Sequence, residues 1–222
     1  VDRTGSAVYD VRVPPVGLAG SLVVPAHAHG VVLFAHGSGS SRHSPRNVQV
    51  ANALTGRGVA TLLFDLLMSD EDSDRRNVFD VELLARRLTQ AVEWARIQPD
   101  VAGLPLGLFG ASTGAAAALV AAATLGEQVA AVVSRGGRPD LAGAALPRVR
   151  APTLLIVGGA DPVVLELNRL AFAQLGGPKK LEVVPGATHL FPEPGALEAV
   201  IELAGDWFER HLVVPPNRER VG

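Results

Sequence analysis

The chain of 222 residues contains no cysteine, which excludes disulfides, thiolate metal sites and a cysteine nucleophile together. Any covalent nucleophile must therefore be an oxygen or a lysine. An excess of one charge is missing too: the formal net charge is −2. Such a balance supplies no field to concentrate nucleic acid or anionic lipid, so neither is an expected partner and a small molecule is. No apolar run approaches the roughly 20 residues that cross a bilayer, and no basic-apolar-small signal opens the sequence. The simplest expectation is a cytoplasmic protein without a membrane. Internal repeats and low-complexity linkers are absent, and only the stretch from Pro215 reads as a flexible tail. A chain that is 48% hydrophobic at this length can bury one substantial core, so residues 1–222 are expected to form one domain. Oligomeric state is not readable.

What is present alternates. Ala7 to Val13 and Ser21 to Val24 flank Pro14-Pro-Val-Gly17 and predict an antiparallel hairpin. Val31 to Ala35, Ala60 to Phe64, Leu106 to Phe109, Val129 to Val133, Thr153 to Val157 and Leu181 to Val184 read as parallel strands buried on both faces. Helical patterns lie between them, near Pro45 to Thr55, Val78 to Arg96, Gly114 to Ala123, Val163 to Leu175 and Ala196 to His211. The expected class is α/β, with a doubly wound, mostly parallel sheet.

Ligand sites in such sheets lie beyond the carboxyl ends of the strands. The residues found there are His36-Gly-Ser-Gly-Ser-Ser-Arg-His43, Asp65, Ser112, Arg135-Gly-Gly-Arg138, Gly158-Gly-Ala-Asp161 and Gly186-Ala-Thr-His189. Of these, Gly110-Ala-Ser112-Thr-Gly114 is the most informative, because an apolar strand runs into it and an Ala-rich helix leaves it. A turn sharp enough to thrust a serine hydroxyl above the sheet strains the serine and leaves no room for side chains two residues to either side.

Serine is too weakly acidic to attack an ester alone. It needs a base in reach, and the base needs an anion to fix its tautomer. His189 is the candidate base, since it alone of the histidines lies between the final strand and the final helix. His27 and His29 precede the first parallel strand, at the wrong end of the sheet, and His211 follows the last helix. Asp161 is the candidate acid, although beside Pro162 it also reads as a helix N-cap, and Asp140 is its rival.

Acyl transfer also needs preorganised donors for the oxyanion, expected from the Thr113 amide and from Ser38, with Gly39 as the alternative. The His36 to Gly39 loop fits no nucleotide pattern: Arg42 stands where a third Rossmann glycine belongs, and no Gly-Lys-Ser/Thr follows. Arg42, Arg46, Arg135 and Arg138 on these loops are candidates to clamp a carboxylate. Phe34, Phe109, Met68 and Phe191 are candidates either for an acyl pocket or for the core.

The order Ser112, Asp161, His189 along successive strand ends resembles that of the α/β-hydrolases. Within them the chain most resembles the dienelactone hydrolase family, the compact branch without a cap domain. The resemblance spans nearly the whole chain. It rests on the small sheet, the short Gly137 to Pro152 connection, Gly158-Gly-Ala-Asp161 and Gly186-Ala-Thr-His189. One departure matters: dienelactone hydrolases proper carry cysteine in the elbow, where this chain has Ser112. The implied activity is cleavage of a plain carboxylic ester or lactone through an acyl-enzyme, without cofactor or metal. The segments His36 to Arg46 and Ser134 to Asp140 also resemble a subgroup sometimes fused to phosphoribosyltransferase domains, whose pyrophosphate motif is not found in this sequence. Two other classes compete. One is a metal hydrolase built on His27, His29 and His36; the other is a non-catalytic protein that kept the fold.

Overall fold

The computed structural model describes residues 5–212 of the chain, so the tail expected from Pro215 lies outside the described residues. An eight-stranded sheet forms its centre, in the order β1-β2-β4-β3-β5-β6-β7-β8. Strands β1 (Ala7–Val13) and β2 (Leu18–Val24) form the expected hairpin around a turn closed by Gly17 N–H to Val13 O at 3.0 Å. β2 continues antiparallel onto β4 (Val59–Phe64), whereas β3 (Gly30–Ala35), β4, β5 (Leu106–Ala111), β6 (Ala131–Arg135), β7 (Thr153–Gly158) and β8 (Lys179–Val184) run parallel.

Period-two alternation within the parallel strands divides the apolar side chains between two cores. Val31, Leu33, Leu108, Val132 and Leu155 face one side; Val32, Phe34, Phe109, Val133 and Ile156 face the other. Helices α1 (Pro45–Gly56) and α7 (Ala196–His211) cover the second side through Val50, Leu54, Val200, Trp207 and Phe208. The first is covered by α4 (Val81–Ala95), α5 (Thr113–Leu125) and α6 (Pro162–Gln174). At α4 the Asp80 carboxylate caps the helix, accepting from Leu83 N–H at 2.9 Å. Helix α5, Thr-Gly-Ala-Ala-Ala-Ala-Leu-Val-Ala-Ala-Ala-Thr-Leu, is buried on every face over its first ten residues. Alanine suits such a helix, since it has the best intrinsic propensity and lets sheet and neighbouring helices approach closely.

Two sequence expectations need correction. β8 is an edge strand, with Lys180 and Val183 exposed, so only one of its edges is paired and it is not buried on both faces. Helix α4 begins at Val81 rather than Val78, because Phe79 ends a separate turn, α3 (Arg75–Val78), preceded by α2 (Ser69–Asp72). These four-residue turns carry no apolar period. The connection after β6 contains a 3-10 stretch at Pro139–Arg148, kinked at Gly143, that packs against α5 and α6 rather than rising over the strand ends. Among the described residues no helix is long and apolar enough to cross a membrane.

Candidate active site

Ser112 sits between β5 and α5 with φ 51° and ψ −122°, a left-handed conformation that L-residues adopt only under strain. Its flanking glycines are required by contact. A Cβ on Gly110 would lie 2.4 Å from Ala115 Cα, and one on Gly114 would lie 2.2 Å from Ala35 O. Backbone atoms cannot retreat as a flexible side chain can, so the elbow exists only with both glycines. The Ser112 carbonyl anchors the turn by accepting from Ala115 N–H at 3.1 Å and from Arg138 N–H at 3.0 Å.

His189 and Asp161 arrive on adjacent loops after β8 and β7. Gly159 N–H donates to Val184 O at 2.8 Å and Ala160 N–H to Ala187 O at 2.9 Å, stitching the loops together. The approach is so close that a Cβ on Gly158 would lie 2.3 Å from Ala187 O. As a result Asp161 Oδ2 lies 2.8 Å from His189 Nδ1. The other carboxylate oxygen caps α6, accepting from Val164 N–H at 3.4 Å with Pro162 in the first turn. Asp161 therefore both contacts the candidate base and caps α6. Its rival Asp140 forms a two-pronged pair with Arg138, at 2.9 and 2.8 Å.

Ser112 and His189 line one cavity of about 250 Å³, together with Gly37, Ser38, Ser40, Ser44, Arg46, Asn47, Arg135 and Leu190 among others. The oxyanion donors expected here stand differently from one another. Thr113 N–H opens α5, where an amide has no partner within the helix. The Ser38 amide is not free: it donates to Thr113 Oγ1 at 2.9 Å. Gly39 borders a separate small void beneath His36 and Leu67, not the Ser112 cavity, because the Gly37–Ser40 turn carries it away.

The predicted substrate contacts separate cleanly. The Arg42 guanidinium pairs with Asp65, and that carboxylate also accepts the Arg42 amide at 2.8 Å, so this arginine braces its own loop. Arg138 is neutralised by Asp140. Phe191 is 2% exposed and belongs to the core with Val184 and Leu197. Phe34 and Phe109 are core as well, their ring centroids 4.9 Å apart, and Met68 packs on the opposite core from them. Of the predicted contacts Arg42, Arg46, Arg135, Arg138 and Phe191, Arg46 and Arg135 reach the Ser112 cavity and the other three do not, and Arg135 is the more buried of the two. Burial, with the Arg46 charge beside it, pushes its guanidinium down to about 10, still cationic at neutral pH.

Sequence reasoning gave Asn47, Ser44 and Asn168 no role. The first two form the start of α1, which the strand-end rule could have located. Asn168, buried on α6, fixes the loop after Arg135 by donating to Gly137 O at 3.0 Å. His36 is structural: its Nε2 accepts Leu66 N–H at 3.1 Å and its Nδ1 faces Gly37 O at 3.0 Å, an arrangement that requires the neutral Nδ1–H tautomer. Burial lowers its pKa accordingly. His27 and His29 precede β3 and His36 follows it, about 20 Å away at the rise of a strand, which splits the ligand set imagined for a metal hydrolase.

An open, mostly parallel sheet with a strained serine between strand and helix, and a His–Asp pair at the neighbouring strand ends, defines the α/β-hydrolase fold class. Residues 28–199 match the family described as alpha/beta hydrolase domain. A solved dienelactone hydrolase from Anabaena variabilis is 55% identical, with a TM-score of 0.91 over 94% of this chain and 99% of that one. The chain thus belongs to the dienelactone hydrolase-like family of α/β-hydrolases. Est1E from Butyrivibrio proteoclasticus shares the fold at 17% identity, with a TM-score of 0.75 over 93% of this chain and 98% of that one. A Mycobacterium tuberculosis protein provisionally named as a phosphoribosyl transferase is 64% identical over 201 residues, which is 90% of this chain. The chain spans 45% of the length of that relative.

Proposed function

We propose that the chain is a serine hydrolase that cleaves small carboxylic esters or lactones through an acyl-enzyme. The observation that carries this reading is the 2.8 Å His189–Asp161 contact at the edge of the cavity that holds the strained Ser112. Ser112 Oγ attacks the ester carbonyl as His189 takes its proton. The resulting tetrahedral oxyanion accepts hydrogen bonds from Thr113 N–H and from Ser38 N–H, the latter released as the Thr113 hydroxyl turns aside. Each such donor contributes about 2.7–4 kcal/mol to the transition state. His189 then protonates the departing alkoxide, and water, activated by the same imidazole, hydrolyses the acyl-serine to the free acid. Asp161 holds the tautomer in which Nδ1 carries hydrogen and stabilises the imidazolium.

Family membership supports hydrolysis in general, and Ser112 in place of cysteine favours ordinary esters and lactones. The name carried by the mycobacterial relative belongs to a protein of more than twice the matched length and is not needed to account for this site. The test is a fluorophosphonate probe followed by peptide mapping. Ser112 should carry the label and Ser112→Ala should lose both label and esterase activity. Label found instead on Ser38 or Ser134 removes the assignment.

A further inference from the structure

One wall of the Ser112 cavity is built from the first turn of α1 and the end of β6, and it holds two cations that have no counter-ion among the described residues. Arg135 is 5% exposed, and its one hydrogen-bond partner is neutral: Nη2 donates to Asn47 Oδ1 at 3.1 Å. Its Nε is buried without a partner, as is the Nε of Arg46. Among the described residues neither guanidinium makes an ion pair. The other arginines of these loops do: Arg42 with Asp65 and Arg138 with Asp140.

Surface arginines are commonly unpaired, but a buried one is costly to leave so, and two side by side repel each other. The positive end of the α1 dipole points the same way and adds to the charge rather than offsetting it. Ser40 and Ser44 border the same wall with hydroxyl groups. Such a wall suits an anion with several acceptor oxygens.

We propose that the substrate carries an oxyanion group, a carboxylate or a phosphate, which Arg135 and Arg46 hold against the start of α1 while Ser112 attacks the ester. This rests on the ester-hydrolase reading of the site. Arg135, fixed by Asn47, presents a preorganised fork, and Arg46 closes on the anion from the helix. The substrate supplies the missing charge, and neutral esters of equal size leave both guanidinium groups unpaired.

The experiment compares matched pairs. p-Nitrophenyl hemiglutarate is set against its methyl ester, and the p-nitrophenyl ester of 3-phosphonopropionate against its dimethyl phosphonate. 4-Acetoxybenzoate and its methyl ester place the charge on the leaving-group side. The readout is the ratio of kcat/KM for the anionic over the neutral member, which cancels losses common to both. At least one pair should show a ratio of about tenfold or more, falling as ionic strength rises, and the pair that does identifies the anion and its side. Arg46→Gln should cut that ratio about tenfold. Arg135→Lys should cut it less than Arg135→Gln, since charge remains but the fork is lost.

Arg46 is only partly buried, so Arg46→Gln keeps the test usable should the Arg135 variants fail to fold. Ratios at or below one in every pair, or a preference unchanged by Arg46→Gln, overturn the proposal. Fluorophosphonate labelling in parallel reads Ser112 separately: labelled protein without anion preference refutes the clamp alone. If Ser112 is not labelled, calorimetry with inorganic phosphate and with glutarate still decides. Binding weakened about tenfold by Arg46→Gln supports the clamp, and no binding to either anion refutes it.

Discussion

Thr113→Val separates what the Thr113 hydroxyl does for the fold from what the Ser38 amide does for the reaction. The change is nearly isosteric at a residue 4% exposed, so packing is kept while the acceptor of the 2.9 Å bond from Ser38 N–H disappears. An amide left without its partner costs about 1–3 kcal/mol, and for a chain of this size that corresponds to a fall in Tm of about 2–12 °C. Turnover moves the other way. In the resting wild type the Ser38 donor is occupied and must exchange one acceptor for another; in the variant it waits unpaired for the oxyanion. The transition state then gains the net value of one hydrogen bond, about 0.5–1.5 kcal/mol, or roughly a two- to tenfold rise in kcat for p-nitrophenyl acetate. Thr113→Ser, which keeps the hydroxyl, should match wild type in both measurements. Calorimetry and steady-state kinetics on the three proteins suffice. A variant of unchanged Tm whose kcat falls more than tenfold refutes the exchange, since the hydroxyl would then be part of the oxyanion site itself.

His189→Ala should abolish nearly all hydrolysis, whereas Asp161→Asn should leave a small residue of activity and also lower Tm through the weakened α6 cap. Steady-state kinetics showing Asp140→Asn to be the more damaging change would reassign the acid. His36 makes stability pH-dependent: its pKa is lowered in the fold by burial, only partly opposed by Gly37 O, Asp65 and Asp72. Below about pH 6.5 the unfolded chain takes up a proton that the folded protein resists, so stability is full above that pH and falls as pH drops towards the lowered value. Urea midpoints between pH 7.5 and 5 should show a loss that is smaller in His36→Gln, and equal slopes would contradict the buried neutral tautomer. In a p-nitrophenyl ester series, acetate to butyrate should be preferred, with kcat/KM flat or falling beyond about six carbons, because about 250 Å³ offers little wall against which further methylenes gain their roughly 0.8 kcal/mol each. A maximum at decanoate would require a deep acyl channel.

The parts of this site legible in the sequence are those fixed by backbone geometry. The Gly110/Gly114 spacing specified the elbow because a Cβ at either position meets backbone. The meeting of Asp161 and His189 was legible because every parallel strand delivers its following residue to the same edge of the sheet. Side-chain pairing across loops was not legible. Nothing local distinguishes Arg42, satisfied by Asp65 from 23 positions away, from Arg46, which makes no ion pair among the described residues and whose Nε is buried without a partner. The Arg138–Asp140 pair was visible as Arg-Pro-Asp, but Arg138 was read as a substrate contact and Asp140 as the rival acid. For a related reason the resting partner of the Ser38 amide was not legible: it is the side chain of another predicted site residue, Thr113. Phe191, after the His189 loop, reads as a pocket wall, yet its φ of 55° turns it into the core. β8 was misjudged because Leu181, Val183 and Val184 mask Glu182, whose carboxylate reaches Lys180 at 2.6 Å on an open edge.

The all-round burial of α5 divides this protein into a part that can change and a part that cannot. From Thr113 to Ala122 the helix offers no solvent-facing position, and most of its side chains are already the smallest that carry a Cβ. Any larger residue there overpacks against sheet or neighbouring helix, displacing the helix and the amide at its start. The other cavity walls come from segments 37–47, 135–136 and 189–190, which include the partly or fully exposed Ser38, Ser40, Arg46 and Leu190. Divergence toward new substrates is therefore channelled into those four positions, while the helix behind the nucleophile is held almost invariant by lack of space.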